Sequence, residues 1–290
     1  MLPGMVAKPR VAIVGAGNLG TALALALHGS GYAIDSVVVR SRGGPLRKAR
    51  NLAKRVGARA ATDLSEVRAE LIWICVPDSS IARVARSLAD QTKWKGKVAV
   101  HSSGALTSDE LSVLRERGAA VASVHPLMTF VRGSRPALTG VSFALEGDAA
   151  ALRVARRMVR DLGGHSYSIR KEDKAAYHAW ATFASPLFTA LLATTEQVAT
   201  LAGVSRKATR QRMIPILQQT LANYAAFGVA GAFSGPIVRG DVDTVKRHLH
   251  VLRGVPAARE VYLGLARAVL QYLPVKNKSS LKRLLDSRQI

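Results

Sequence analysis

The chain has 290 residues, too many for one small core, and its 48% apolar and 21% charged residues exclude a disordered polypeptide; roughly two globular domains are expected. The formal charge of +23, from 42 Lys and Arg against 19 Asp and Glu, favours anionic partners such as nucleotides, phosphates and carboxylates. This charge is spread in short groups and aromatics are only 5%, so it reads as a basic surface, and nucleic acid is not the expected partner.

In chain order, Val11–Val14 is a short β-branched run, followed by GAGNLG and an alanine- and leucine-rich stretch that Gly29 and Gly31 end: strand, glycine turn, helix. Residues 34–41 read as a second strand, 43–59 as a loop and helix closed by Gly57, and 70–81 as a strand running into a Pro-Asp loop. A helix over 81–92, a strand and loop over 97–106, a helix over 108–118 and a strand within 120–130 come next. Residues 140–147 and 165–170 read as late strands around a helix over 148–164. Strands alternating with helices at this spacing give an α/β domain, a doubly wound and mostly parallel sheet with helices on both faces. From about residue 171 only helical periods remain, over 172–202, 205–228, 241–252 and 256–272, with a basic tail over 276–285. The expected division is an α/β domain over 8–170 and an all-helical domain over 171–290.

Gly15, Gly17 and Gly20 fall in G-x-G-x-x-G between the first strand and the first helix, the context in which this pattern binds a dinucleotide. Gly15 permits the tight turn, Gly17 lets a pyrophosphate approach the backbone, and Gly20 lets the helix pack on the strand. The helix start, at Asn18 and Leu19, offers free N–H groups and partial positive charge to phosphates. At the end of the second strand, an NAD site carries an acidic residue for the ribose 2′-hydroxyl. This chain has Arg40, Ser41 and Arg42 there, which suit a 2′-phosphate, so NADP(H) is expected over NAD(H). The same arginines also belong to the general positive excess.

In an open parallel sheet, ligands bind beyond the carboxyl ends of the strands, and three loops qualify. The loop at 75–81, with Val76 and Pro77, can run along the cofactor. In the loop at 101–106, Ser102, Ser103 and Gly104 offer hydroxyl and N–H groups to a substrate carboxylate, and Ser103 is assigned to cofactor contact and catalysis as well. His125, in HPLMTF, stands on the same rim. Each has an ordinary alternative. Ser-Ser-Gly is common turn chemistry, Pro126 can fix a strand end and leave His125 a satisfied polar residue, and His101 at a strand end suits a partly buried structural role.

Lys174 and His178 are i and i+4 and share a helix face that Ala181 and Ser185 continue. A lysine ammonium stabilises the negative charge that hydride transfer builds on a carbonyl oxygen, and apolar surroundings lower its pKa toward working pH. On the residues alone, a solvated helix end is the commoner meaning of such a pair. Pro186 is expected to bend the helix. The uncharged stretch 175–195 nearly has the length of a membrane span, but Tyr177, His178, Ser185, Pro186 and several threonines dilute it; the expectation is a helix buried on most of its surface, and no membrane. Cys75 is the only cysteine, and the start lacks a signal-peptide pattern, so a cytoplasmic setting is expected. No His, Cys, Asp or Glu spacing points to a metal.

The segments VAIVGAGNLG, CVPDSSI, HSSGAL and HPLMTF, followed in order by DKAAYHAWATFASPLFTALL and SGPIVRGDVDTVKRHL, resemble a family of oxidoreductases that pairs a Rossmann-like domain with a helical C-terminal domain of unknown function. That family is similar to the wider group with a 6-phosphogluconate-dehydrogenase-like helical domain, which includes β-hydroxyacid dehydrogenases, ketopantoate reductases and pyrroline-carboxylate reductases. The resemblance implies NADP(H), a small anionic carbonyl or imine substrate and a homodimer formed through the helical domain. It places a catalytic lysine at Lys174 and a substrate-holding Ser-Gly pair at Ser103 and Gly104. Where the wider group often has an asparagine one turn after the lysine, this chain has His178. Arg239, in GPIVRGD, could reach an anionic substrate; equally, Arg239 and Asp241 could serve only as helix caps.

Overall fold

The computed structural model describes residues 7–40, 43–91, 93–134 and 136–287, and the chain divides into two compact units between Thr182 and Phe183. In the first unit, β1 (Val11–Val14), α1 (Asn18–Gly29), β2 (Ile34–Val38), α2 (Gly44–Arg55), β3 (Arg59–Ala61), β4 (Leu71–Ile74) and α3 (Ile81–Ala89) lead to β5 (Val98–His101), α4 (Ser112–Glu116) and β6 (Ala120–Pro126). The unit continues with β7 (Ser142–Gly147), α5 (Ala149–Asp161), β8 (His165–Ser168) and α6 (Lys174–Thr182). The strands form one sheet in the order β3-β2-β1-β4-β5-β6-β7-β8, parallel except between β6 and β7. The chain leaves β1 toward β2 on one side and returns to β4 on the other. The strand order therefore reverses at the carboxyl ends of β1 and β4, where such sheets open a crevice.

Strand alternation sorts the side chains into two cores. Val11 and Ile13 of β1 with Leu71 and Trp73 of β4 pack on the face covered by α1, α2 and α5. Ala12, Val14, Ile72 and Ile74 pack on the face covered by α3 and α4. A parallel sheet buried on both faces needs such near-continuous apolar strands. The short β3 was not expected from the sequence: Arg59-Ala60-Ala61 carries no β-branched residue, and its pairing with β2 makes it a strand.

In the second unit, a π-helical turn at Phe183–Leu187 contains Pro186 and precedes α7 (Phe188–Leu201). Proline has no N–H to give the helical ladder, and a wider turn absorbs the loss. α8 (Arg206–Ala232) follows and breaks at Gly228, where φ is 67°. α9 (Val242–Val251), α10 (Pro256–Tyr272) and α11 (Lys278–Asp286) pack Val245, Leu249, Ala266, Leu270, Leu281 and Leu285 into one core. The basic tail is thus a helix, with Leu281 and Leu285 as its buried stripe and its lysines outside.

One expectation fails. The long uncharged stretch is not buried on most of its surface: α6 buries Lys174 and Tyr177, α7 buries no residue, and Trp180 and Phe183 are 56% and 70% exposed. Its apolar residues are distributed around the helix, so one chain cannot cover them all. Among the described residues, no single helix is long and apolar enough to cross a membrane.

Candidate active site

The turn after β1 shows why three glycines are spaced as they are. At Gly15, φ is +112° and an added Cβ would lie 2.3 Å from the Cys75 carbonyl oxygen, so both backbone and space require glycine. A Cβ on Gly20 would lie 2.0 Å from the Gly15 carbonyl oxygen, and its absence lets α1 rest on the turn. Gly17 differs: φ is −73°, and an added Cβ would meet nothing within 4 Å. The protein itself does not need glycine there, whereas a group approaching the backbone from outside does. α1 begins at this position without a capping side chain or an acidic residue in its first turn. The N–H groups of Asn18, Leu19 and Gly20 are left to an outside acceptor, and the dipole favours an anion. Asn18 Nδ2 donates to the Phe130 carbonyl at 3.1 Å.

From this corner a cleft of about 500 Å³ runs past Val76 to Arg40, Thr62 and Arg83. Two guanidiniums and a hydroxyl thus line one space beyond the end of β2. Arg83, on α3, was not singled out in the sequence, because nothing in its spacing ties it to Arg40. Asp63 also lines the cleft, but its carboxylate accepts from Ser65 N at 2.9 Å and that bond holds its pKa below the usual range. Ser41 and Arg42 lie outside the described residues. The turn, the open face at Gly17 and the cationic cleft fit a phosphate-bearing dinucleotide.

The second cluster lies at the carboxyl ends of β5 and β6. Lys174, the first residue of α6, is only 1% exposed. Its Nζ donates to the Ser103 carbonyl at 3.1 Å and to Ser123 Oγ at 2.6 Å, and Ser123 Oγ donates to the same carbonyl at 3.1 Å. Burial lowers the Lys174 pKa to about 8, against the opposing pull of Glu146 and Asp78.

Ser103 is held from every side. Its hydroxyl donates to Asp78 Oδ2 at 2.7 Å and accepts from Ala105 N at 3.2 Å and Leu106 N at 2.9 Å. One donor and two acceptor positions exhaust a hydroxyl, so this group ties the loop to the segment after β4. Its N–H donates to His101 Nδ1 at 3.1 Å, and His101 Nε2 lies 2.9 Å from the Thr107 carbonyl. That pairing fixes a neutral ring with its proton on Nε2, and burial lowers the His101 pKa to about 4. The structural reading of His101 is therefore correct. Ser102 Oγ accepts from Trp73 Nε1 at 2.7 Å and keeps its own proton to donate.

Gly104 lies between two imidazoles: an added Cβ would be 2.6 Å from His178 Cδ2 and 2.9 Å from His125 Nε2. His125 Nδ1 is 2.6 Å from the Tyr177 hydroxyl, and the His125 and His178 rings meet edge to face at 6.2 Å. Burial, then the Lys174 charge, lowers the His125 pKa to about 4, while burial pushes the Tyr177 phenol up. With Tyr177 as donor, the neutral His125 ring carries its proton on Nε2, facing Gly104. Tyr177 was missed in the sequence, although it stands at i+3 from Lys174 and packs on the same side.

The structure thus gathers Ser103, Gly104, His125, Lys174 and His178 in one place. Val76 and Pro77 lie on the segment that leads from the cleft to Asp78. Arg239 belongs to the second unit, where it is exposed on the turn before α9, and Asp241 caps that helix by accepting from Thr244 N at 3.0 Å. Burial pushes the Cys75 thiol up, which leaves it a poor nucleophile. Among the described residues, no group of His, Cys, Asp or Glu could hold a metal ion.

This architecture is that of a Rossmann-like dinucleotide-binding domain joined to a helical domain. The family model of a Rossmann-like domain matches residues 5–126, and that of a domain of unknown function, DUF2520, matches residues 141–269. Among curated protein sequences none matches the chain. Solved structures share the fold along nearly the whole length. A Bacteroides fragilis protein assigned as an NADP oxidoreductase is 23% identical, with a TM-score of 0.76 over 90% of this chain and 98% of that one. Protein TM1727 from Thermotoga maritima is 25% identical, with a TM-score of 0.69 over 97% and 100%. A reductive aminase from Aspergillus terreus, in complex with NADPH and ethyl-5-oxohexanoate, is 17% identical, with a TM-score of 0.65 over 95% and 99%.

Proposed function

We propose that this protein is an NADP(H)-dependent oxidoreductase that reduces a small carbonyl or imine compound carrying a carboxylate. The observation that carries the reading is the open face at Gly17 beside an uncapped helix start, in a unit whose neighbouring strand ends gather Gly104, His125, Lys174 and His178. Gly15, Gly17, Asn18, Leu19 and Gly20 would seat the pyrophosphate, and Arg40 and Arg83 the 2′-phosphate. Val76 and Pro77 would line the way toward Ser103 and Gly104. The bound nicotinamide supplies hydride.

Hydride arriving at a carbonyl or imine carbon leaves negative charge, or a basic lone pair, on the neighbouring oxygen or nitrogen. The Lys174 charge beneath the 103–104 loop favours that charge, and His178, exposed one turn along α6, exchanges the proton. The NADP oxidoreductase and the NADPH-bound reductive aminase with the same fold support this choice of cofactor and of a C=O or C=N substrate. The apolar residues left exposed on α7 and α8 support a homodimer through the helical unit.

Purified protein should oxidise NADPH in the presence of at least one member of a panel of 2-keto acids, aldehydes and cyclic imines. His178→Ala should lower turnover while NADPH affinity is kept. Binding of NADPH with no turnover on any member would leave a nucleotide-binding protein and remove the enzyme.

A further inference from the structure

We infer that Lys174 is a positioning residue: it acts through the Ser103–Gly104 peptide, whose carbonyl it binds, so that the Gly104 N–H becomes a strong donor to an anionic group of the substrate. The inference rests on the reductase reading above and specifies how its substrate is held.

Three observations carry it. First, Nζ has no open face for a substrate, since the side chain is 1% exposed and two of its protons go to the Ser103 carbonyl and Ser123 Oγ. A group so enclosed does not touch the reacting atoms. Second, the Ser103 carbonyl accepts from both Lys174 Nζ and Ser123 Oγ, which uses both lone pairs, one of them on a cation. A peptide whose oxygen is so engaged is polarised, and its N–H is a better donor than an ordinary amide. Third, that N–H belongs to Gly104. That residue is buried, and among the described residues its N–H makes no hydrogen bond. Buried backbone N–H groups are nearly always paired, so an unpaired one at a strand-end crevice calls for an acceptor from outside.

The trans peptide turns this N–H away from Lys174 and Ser123, because C=O and N–H point in opposite directions. The absent side chain of Gly104 keeps His125 Nε2 close by, and that nitrogen has no partner among the described residues. Two N–H donors with a cation behind one of them suit the two oxygens of a carboxylate.

The test uses the 15N-labelled full chain in its NADP+ complex, with pyruvate as the anionic probe and pyruvamide as the neutral control. NADP+ affinity is measured first, and failure of the wild type to bind NADP+ would defeat the reductase reading itself. With NADP+ bound, pyruvate should move the Gly104 amide proton downfield and pyruvamide should do so much less. Lys174→Met should keep NADP+ affinity and weaken pyruvate binding by roughly tenfold or more. Ser123→Ala, which keeps the cation, should weaken it only about two- to threefold, and it serves if Lys174→Met does not fold. In the wild type, the Gly104 amide should also shift upfield as Lys174 loses its proton. Asp78 and Glu146 also face Lys174, and the neighbouring His101 and His125 change charge at lower pH, near 4. A Lys174→Met protein that keeps pyruvate affinity and the Gly104 shift, yet loses hydride transfer, would make Lys174 the proton donor and overturn the inference.

Discussion

Gly104 and His178 are packed so closely that a single methyl group on the glycine would stand 2.6 Å from the imidazole Cδ2. Gly104→Ala must therefore push His178 or His125 aside. Turnover should fall by roughly 10- to 100-fold, as expected when reacting groups are displaced by about an ångström. NADPH affinity, measured by calorimetry, should stay within a few-fold of the wild type. Wild-type turnover in this variant would mean that the two imidazoles are not held in a reactive geometry.

Gly15 and Gly17 should respond to alanine in opposite ways. Gly17→Ala meets no protein atom and keeps an allowed φ, so its thermal midpoint should remain near that of the wild type while NADPH affinity drops by about 10-fold or more. Gly15→Ala collides with the Cys75 carbonyl at positive φ and should cost on the order of 3 kcal/mol of stability. Equal effects of the two changes on stability would show that Gly17 serves the fold and not a ligand.

The cleft beyond β2 predicts a cofactor preference. Arg40→Ala and Arg83→Ala should each weaken NADPH binding by about 10-fold and leave NADH binding nearly unchanged, because only the 2′-phosphate is lost from the contact. Parallel titrations with both nucleotides decide it. Equal losses for both would assign the two arginines to the general positive surface.

Stability should rise with pH in two windows. The His101 and His125 pKa values of about 4 lie below the ordinary value of 6.5, so between these values the unfolded chain binds more protons than the folded one. The stability held above pH 6.5 is lost as pH falls toward 4, by about 3 kcal/mol for the fully buried His101. Lys174, at about 8 against 10.5, obeys the same sign, and the cost of burying its charge is relieved as pH climbs through that upper window. Urea unfolding of wild type and His101→Gln from pH 4 to 10 reads both. The variant should lose about half of the acid-side slope, and identical slopes would remove His101 from the account.

The exposed apolar residues of α8 predict association. Ile216 and Phe227 are 65% and 68% exposed, and only Thr209 of that helix is buried. Phe227→Arg with Ile216→Asp should convert a dimer into a monomer in sedimentation equilibrium. A wild type that is monomeric at high concentration would leave these faces unexplained.

Much of this was legible in the residues. The α/β pattern, the glycine turn and the loops at strand ends follow from local rules: β-branched runs, helical periods and the φ that only glycine adopts. Lys174 is marked by the family resemblance, since on the residues alone a solvated helix end is the commoner meaning of its place. Its burial could not be read from sequence, because that depends on Ser123 and Ser103, 51 and 71 residues away in sequence. The saturation of the Ser103 hydroxyl by Asp78 and two backbone N–H groups is likewise a tertiary fact; from sequence, the same hydroxyl looked free for a substrate. Arg83 joins Arg40 only through the packing of α3, and β3 exists only because β2 offers it an edge. Local chemistry is written locally, and the partners of each polar atom are not.

The central claim is that a phosphate-rich dinucleotide lies on the turn after β1 with its reactive ring beside Gly104. A structure of the NADP+ complex tests it most directly. The account predicts the pyrophosphate over Gly17, the 2′-phosphate within hydrogen-bond reach of Arg40 or Arg83, and the nicotinamide against the 103–104 loop and His125. A nucleotide bound elsewhere, or a nicotinamide turned away from Gly104, would contradict it.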